Sequence, residues 1–588
     1  MDNISDSTSN NTSEIRSDTP LDYELKLSST EFATGFFTAL PCSPLSLDEA
    51  VALLHHRPMD KFLHHYALNL MAKLDAREVE SIITRAKDEE NMILKALACE
   101  QLLLSQPLPK VQQFFSRATI AELGRYTPLV DIPSALMANR RLHTGWIKIF
   151  RKNMIDHTPL PSPDRTGLPP ICHGECMVRQ EQTVTIVDMI STIKKNQKDE
   201  KPLGAGQQFT LEQTAQTALE RLNDAGVRIE KEMRHESSLS PFALLRRWSF
   251  STRTDNLRNR FTLSGPQTSY GRGMTLEHAR ASLTMEIVER CSAFASISQG
   301  EVEGYARDYP LTRATHQQLV ERGINALDPA DLALEVNYNE EPLHWLEGTT
   351  PGENGLKPAM VPVQALFLFC NLDETALFSG LGSTGLASGN TMEQAKLSAL
   401  LEIVERHQEA TVPFTLETCF DLIPGNSPIA SLFEAYRAMG IHLQFQDLTT
   451  KSGIPCCKCF VRAKDGTIHK GAATRLNARE AIVSAMTETT YPFPSGPPSA
   501  GGLADLIGVG YDNLPDYSFG DHGQDLDLVE KLLVANGKRP FYVDLTRREI
   551  GLPVVKALIP GMDILGDFDR FSRVHPELFQ NYLDQFRQ

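Results

Sequence analysis

Four glutamates recur at one spacing in two segments of this chain and could together hold a hard cation. Glu286 and Glu289 stand in Glu286-Ile-Val-Glu-Arg290, and Glu402 and Glu405 stand in Glu402-Ile-Val-Glu-Arg406, the same five letters twice. Carboxylate oxygens are the ligands Mg2+ accepts, often shared with substrate phosphates. An unpaired buried carboxylate is costly, and each pair has one arginine beside it. On a structural reading, Arg290 and Arg406 neutralise the acids or the stripe is solvated, since structural ion pairs imitate active sites. On the chemical reading, a carboxylate cage holds Mg2+ and a nucleotide, which accounts for four acids against two arginines.

Each pentapeptide closes a longer copy of one pattern, Gly271 to Arg290 and Gly389 to Arg406, and a weaker third copy spans Gly471 to Thr490. Aligning Ala279, Ala395 and Ala481 also aligns Ser282, Ser398 and Ser484, then Glu286, Glu402 and Glu488. The unequal spacing excludes a short-period solenoid and predicts three related helices inside one domain. Thr275, Thr391 and Asn477 are N-cap types, and Thr391 with Gln394 and Asn477 with Glu480 predict capping boxes. At about 100° per residue, Ser282, Glu286 and Glu289 share one narrow stripe, as do Ser398, Glu402 and Glu405. Leu283, Met285, Ile287, Val288 and Phe294 surround the first stripe; Leu397, Leu400, Leu401, Ile403 and Val404 surround the second. A helix apolar on nearly all sides is a buried one.

The paired motifs resemble those of the YcaO family. Its first helix carries Gly-x-Gly followed by Ser-x-x-x-Glu-x-x-Glu-Arg, and the loop before its second helix is matched nearly letter for letter by Gly385-Leu-Ala-Ser-Gly-Asn-Thr391. The resemblance runs from roughly residue 205 to 560. It implies an ATP site with Mg2+ ions, lined by Ser282, Glu286, Glu289, Asn390, Glu402, Glu405 and Arg406, in which Glu286, Glu289, Glu402 and Glu405 are the metal ligands. No catalytic residue is assigned. The chain has no Gly-x-x-x-x-Gly-Lys-Ser/Thr string, as befits phosphates held through metals rather than a glycine cradle. Two positions depart from the family pattern. Gln394 offers a neutral carbonyl where many relatives have Glu. The stretch Gly204-Ala-Gly-Gln-Gln-Phe-Thr-Leu211 has no Lys or Arg where relatives often carry a base.

The implied activity is ATP-dependent phosphorylation of a peptide-bond oxygen, turning a poor leaving group into phosphate with Mg2+ offsetting the charge. A Cys, Ser or Thr side chain then gives an azoline, and a sulfur donor gives a thioamide. Azoline-forming relatives often end in Pro-x-Pro-x-Pro; this chain ends Asp584-Gln-Phe-Arg-Gln588, which shifts the expectation toward thioamidation. The alternative is a non-catalytic ATP-binding accessory factor for a ribosomal-protein methylthiotransferase. Expected partners are a peptide or protein substrate, a sulfur-delivery or peptide-recognition protein, and a second copy in a homodimer.

At 588 residues the chain is long enough for several domains. The expected fold class is α+β, a YcaO-like domain of repeated strand–helix units preceded by an all-α N-terminal domain. The expected divisions are a disordered tail 1–26, a helical domain 27–158, a proline-rich connector and linker 159–200, the ATP-binding domain 201–563 and a helical segment 564–588. Ser46 to Glu49 and Thr210 to Gln213 predict capping boxes, and Phe242–Phe250, Gln364–Phe369, Phe541–Asp544 and Gly551–Pro560 read as strands. The N-terminal helices contain no catalytic constellation and are expected to serve recognition. A net charge of −16 argues against nonspecific nucleic-acid binding. No apolar run reaches the ~20 residues that span a bilayer, and the N-terminus lacks signal-peptide parts, so a cytoplasmic location is expected. Cys172-His-Gly-Glu-Cys176 lacks a second half at zinc-finger spacing, and Cys456, Cys457 and Cys459 are expected in a core strand.

Overall fold

The computed structural model describes residues 20–28, 36–171, 183–196, 209–353, 355–563, 565 and 568–587. Helices and strands combine in an α+β architecture with three sheets, and each repeat belongs to a different one. In the first, strand Asn259–Gly273 pairs antiparallel with Phe242–Asn256 along its whole length and turns at Thr275 into helix Leu276–Ala293. In the second, the short strand Leu386–Ser388 lies on Val554–Leu558 and precedes helix Met392–Thr411. In the third, strand Ile468–Thr474 lies on Cys456–Arg462 and precedes helix Ala478–Glu488.

Glycine makes the close strand–helix approach feasible. A Cβ on Gly271 would collide with the Ala279 carbonyl and Leu283 of the helix that follows. Gly385, at φ +77°, adopts a left-handed conformation that glycine takes without steric cost. The helices start where the cap residues place them: Thr275 Oγ1 accepts from His278 N at 3.2 Å, Thr391 Oγ1 from Gln394 N at 3.2 Å, and Asn477 Oδ1 from Arg479 N at 3.0 Å. The two expected capping boxes are altered. Gln394 Oε1 accepts instead from Asn390 N at 2.8 Å, one residue before the cap, and Asn477 caps the second amide rather than reciprocating with Glu480. The boxes at Ser46–Glu49 and Thr210–Gln213 close as expected.

Eight helices between Leu47 and Asp156 bury Leu54, Ala67, Leu97 and Ile120 in their own core. The N-terminal region is nevertheless not all-α. Leu21–Ser28 forms a strand parallel to Asn259–Gly273, with Tyr23 opposite Leu263, and Phe36–Pro41 pairs outside it. Leu21, Tyr23 and Leu25 alternate with polar residues, and Tyr23 and Leu25 are buried in a core shared with Phe62, Phe261 and Leu263. The Tyr23, Phe62 and Phe261 rings meet edge-on at 5.3–5.7 Å. The last residues of the expected tail 1–26 are therefore sheet residues, while 1–19 lie outside the described residues.

Within the expected linker, helix Ile186–Asn196 buries Ile186 and Ile193 among Leu400, Ile403 and Leu528. Cys172 to Cys176 and Gly204 to Gln208 lie outside the described residues. Strands form at Phe541–Asp544 and Val554–Leu558, and Cys456, Cys457 and Cys459 are buried. Gln364–Phe369 is not a strand: a 3-10 turn holds Val363–Ala365, and Phe369 has φ 53°. That run is apolar because Ala365, Leu366 and Phe367 enter the core, which apolarity alone does not distinguish from strand pairing. The C-terminal helix Pro576–Gln585 sets Phe579 and Tyr582 against Trp146 of the N-terminal helices, at 5.0 and 5.3 Å between rings. Among the described residues, no helix is long and apolar enough to cross a membrane.

Candidate functional site

The first repeat helix packs Ala279, Leu283, Ile287 and Val288 inward and leaves its acidic stripe on a partly open side. Glu286 and Glu289 keep 26% and 16% of their side-chain surface. On the second helix Glu405 is nearly closed off, Glu402 is half-buried, and Leu400, Leu401, Ile403 and Val404 are buried around them. Backbone amides hold two of the acids: Glu286 accepts from Tyr270 N at 3.0 Å, and Glu405 from Thr474 N at 3.0 Å. The strands of the first and third repeats thus orient glutamates of the first and second helices. Arg290 Nε lies 3.7 Å from Glu286 and 3.5 Å from Glu289, and Arg406 lies 3.6 Å from Glu405 and 3.0 Å from Glu409.

The four glutamates form one electrostatic unit. Burial, first of all, holds the carboxyls of Glu286, Glu289, Glu402 and Glu405 above the usual carboxylate range; Glu402 and Glu286 push Glu289 further up, and Glu488 does the same to Glu405. Arginine and lysine neighbours offset this only in part. Buried carboxylates that repel one another are stabilised in their charged form by a nearby cation, and a divalent ion supplies that most directly. The donor set fits Mg2+, whose ligands are oxygens.

The third repeat, the strand of the first and the strand Val554–Leu558 contribute residues absent from the expected set. Glu488 acts on Glu405, and its own charge is favoured in turn by the charges of Arg272, Arg475 and Arg406. Lys556, buried on the strand Val554–Leu558, donates to Thr384 O at 2.7 Å and acts on Glu402 and Glu289, its ammonium brought down to about 8 chiefly by burial. Glu488 was legible, because the third copy aligns it with Glu286 and Glu402. Arg272, Arg475 and Lys556 carry no repeat signal of their own. Their presence makes the set mixed rather than purely acidic, and a mixed set suits a metal–phosphate group: carboxylates for the ion, guanidinium forks for phosphate oxygens.

Ser282 is exposed one turn before Glu286. Asn390 exchanges hydrogen bonds with Thr214 of helix Leu211–Asp224 at 3.1–3.2 Å. It stands about 18 Å along the helix axis from Glu402. Neither residue is drawn into the carboxylate set by a contact of its own. Gln394 is engaged with the Asn390 backbone, away from the glutamates.

A second cluster, His407, His575 and Glu577, has the residue types of a metal site. Its hydrogen bonds argue otherwise. His407 Nδ1 accepts from Asp563 N at 3.2 Å, and His575 Nδ1 accepts from Glu577 N at 3.2 Å. In its neutral form each ring therefore carries its proton on Nε2, the reverse of metal-bound histidines, whose second nitrogen normally donates. His407 Nε2 lies 2.8 Å from Glu577, which Lys538 also reaches at 3.0 Å. The cluster ties the second repeat helix to the C-terminal helix.

Among known proteins, the family profile described as YcaO cyclodehydratase, ATP- and Mg2+-binding, matches residues 270–491 and 489–563, half the chain. A protein of Methanothermobacter thermautotrophicus described as uncharacterised is 26% identical over 344 residues, 52% of this chain and 84% of its own length. Among solved structures, a heterocyclase in complex with substrate and cofactor is similar over 60% of this chain and 52% of its own, with 23% identity and a TM-score of 0.46. This chain thus spans about half of that heterocyclase. YcaO from Methanopyrus kandleri bound with AMPPCP and Mg2+ is similar over 62% of this chain and 93% of its own, with 20% identity and a TM-score of 0.42.

Proposed function

The chain belongs to the YcaO family, whose cofactors are ATP and Mg2+, and we propose that it activates a backbone amide of a peptide or protein for thioamide formation. The observation that carries the nucleotide-dependent part of this reading is the convergence of Glu286, Glu289, Glu402 and Glu405 with Glu488, Arg290, Arg406 and Lys556 in one largely buried charged set drawn from the three repeats.

When bound, Mg·ATP supplies the phosphoryl group that makes the peptide oxygen a leaving group, and a metal charge that stabilises it. The four glutamates of the two repeat helices would hold the metal. Their backbone bonds to Tyr270 N and Thr474 N fix the direction of Glu286 and Glu405 before ligand arrives, so little ordering remains. Arg290 and Arg406 would present guanidinium donors to phosphate oxygens. Lys556 adds a point charge beside Glu289 and Glu402, one that it can give up near pH 8. Sulfide rather than a side chain is taken as the incoming nucleophile, and the protein is taken to work in the cytoplasm, with a peptide-recognition or sulfur-delivery protein as its partner.

The experiment is phosphate release from Mg·ATP by the full chain, with and without candidate peptides and sulfide, and mass spectrometry of the peptide. Peptide-stimulated release with oxygen exchanged for sulfur supports the reading. Loss of water instead would make it an azoline former. Nucleotide binding without peptide-stimulated release would favour the accessory factor.

A further inference from the structure

The third sheet carries a polar row that the nucleotide site does not use. Register sets Cys419 opposite Gln446, Gln446 opposite Lys458 and Lys458 opposite Ala472, across four adjacent strands. Side chains so opposed are neighbours on one face. The other face, with Phe445, Cys457, Cys459 and Ala473, is filled by Ile482, Ala485 and Met486 of the third repeat helix. One row along, Lys470 stands opposite Phe460 on the same face as Lys458. Phe414 and Phe460 wall the row, and His157, at the end of the N-terminal helices, stacks on Phe414 at 3.8 Å.

This row is closed off yet incompletely satisfied. Gln446 is 0% and Lys458 2% exposed. Gln446 Nε2 donates to Pro413 O at 2.9 Å and Thr418 Oγ1 at 3.2 Å, but its buried Oε1 has no partner among the described residues, and neither has the buried Nε2 of His157. Among the described residues, Lys458 makes no ion pair. Glu409, the carboxylate acting on it, is committed to Arg406 at 3.0 Å, whereas Lys470 adds a second positive charge. Burial, with Lys470, brings the Lys458 ammonium down to about 8, and burial keeps His157 neutral, at about 3. Buried polar groups are normally satisfied. Two ammonium donors beside an orphan carbonyl call for a ligand that is an anion and also carries one hydrogen to donate. Thiols and phenyl rings around it favour a small, polarisable species.

We propose that Lys458, Lys470, Gln446 and His157 form a pocket for a small protic anion beside the nucleotide cluster, hydrosulfide on its way in or hydrogen phosphate on its way out. The assignment to those two sources rests on the function proposed above. The pocket adjoins the glutamates: Cys456, the next residue on the same face as Lys458, lies opposite Thr474, whose amide is bound by Glu405. For hydrosulfide the step balances. The sulfur lone pair forms the C–S bond, the C–O bond breaks with its electrons onto phosphate, the S–H proton leaves on that phosphate as hydrogen phosphate while the amide nitrogen keeps its own hydrogen, and nothing is oxidised or reduced. Cys419 and Cys456 are walls, not nucleophiles, since burial pushes both thiols up.

The test is calorimetric titration of the full chain, with and without a non-hydrolysable Mg·ATP analogue, using anaerobic sodium hydrosulfide and, separately, inorganic phosphate. One of the two anions is expected to bind wild type, and which one binds identifies the source. Lys458→Met should weaken it about tenfold or more, as loss of a charged hydrogen bond does. Lys458→Arg should retain most of the affinity, and the analogue should bind all variants alike. Lys470→Met, at a half-buried position, should weaken the anion severalfold and serves if Lys458→Met does not fold. Unchanged anion affinity in both Met variants overturns the pocket, as does wild type that binds neither anion. Wild type that binds an anion but no analogue would sink the function reading and leave the pocket standing.

Discussion

Replacing Glu405 by glutamine separates the two readings of the acidic stripe, because they predict opposite signs. Glu405→Gln keeps an oxygen for the Thr474 amide and removes only the charge. Glu405 is nearly enclosed, its carboxyl raised first by burial and then by Glu488, and Arg406 retains Glu409 at 3.0 Å when the charge at 405 is gone. In the absence of ligand the native carboxyl is therefore easier to protonate than the unfolded one. Such a group stabilises the fold below its unfolded pKa and loses that contribution as pH rises through the folded value. At pH 7 to 8 the ligand-free E405Q protein should be as stable as wild type or more so, and its advantage should shrink on acidification. Ligand binding should go the other way. Two unit charges about 4 Å apart interact by roughly 4 kcal/mol at an effective dielectric constant of about 20. With half of that recovered by water taking the ligand's place, about 2 kcal/mol remains, or about 30-fold in Kd. Thermal unfolding without nucleotide and calorimetric titration with a Mg·ATP analogue read the two signs. An E405Q protein that melts several degrees lower yet binds the analogue as tightly as wild type would mean that Glu405 is a structural partner of Arg406 and not part of a metal site.

Two further outcomes follow from the fold. A chain beginning near Lys201, which the sequence would lead one to expect to keep Mg·ATP binding, should fail to fold, because it lacks the strand Leu21–Ser28, the Tyr23 and Phe62 contacts with Phe261 and the Trp146 contact with the C-terminal helix; soluble, nucleotide-binding protein from that chain would refute the shared core. Gln394→Glu should leave the Mg2+ requirement for nucleotide binding unchanged and add about 0.5 kcal/mol of stability at the helix N-terminus, since Gln394 Oε1 already serves Asn390 N; a several-fold fall in the Mg2+ concentration at half-maximal binding would show that position 394 faces the metal.

How far the sequence reveals this protein depends on which interactions are local. The three repeat helices, their N-caps and the glutamate stripes are readable because helical periodicity and capping lie within one segment. Tyr23 and Leu25 alternate with polar neighbours strongly enough to mark a strand, but the polar residues before them suggest a tail. Gln364–Phe369 misleads for the converse reason, since its apolar residues fill a core from a turn. Arg272 reaches the site from the strand before the first repeat helix, Arg475 from the turn before the third and Lys556 from a distant strand, and no periodicity links them to the glutamates. Glu488 stands between these cases, aligned by the third copy but without the second acid and the arginine that mark the other two.

The same distinction explains why the segments outside the repeats matter to a site they do not line. The end of the second repeat helix, where Glu402, Glu405 and Arg406 sit, is followed by His407, which the C-terminal helix holds through Glu577 at 2.8 Å. Just beyond the helix, Asn153 of the N-terminal helices brackets Phe414, donating to its carbonyl and accepting from its amide at 2.9 Å. Asn581 donates to Thr411 O at 2.9 Å, at the last residue of that helix. Three contacts from the two ends of the chain therefore fix the position of one helix terminus. A metal site tolerates displacements of only about 0.5 Å in its ligands, and a helix end frays unless something holds it. Removing the Asn153 bracket by Asn153→Ala should thus weaken Mg·ATP binding without touching a ligand, and unchanged affinity in a protein that has lost thermal stability would confine the bracket to a structural role.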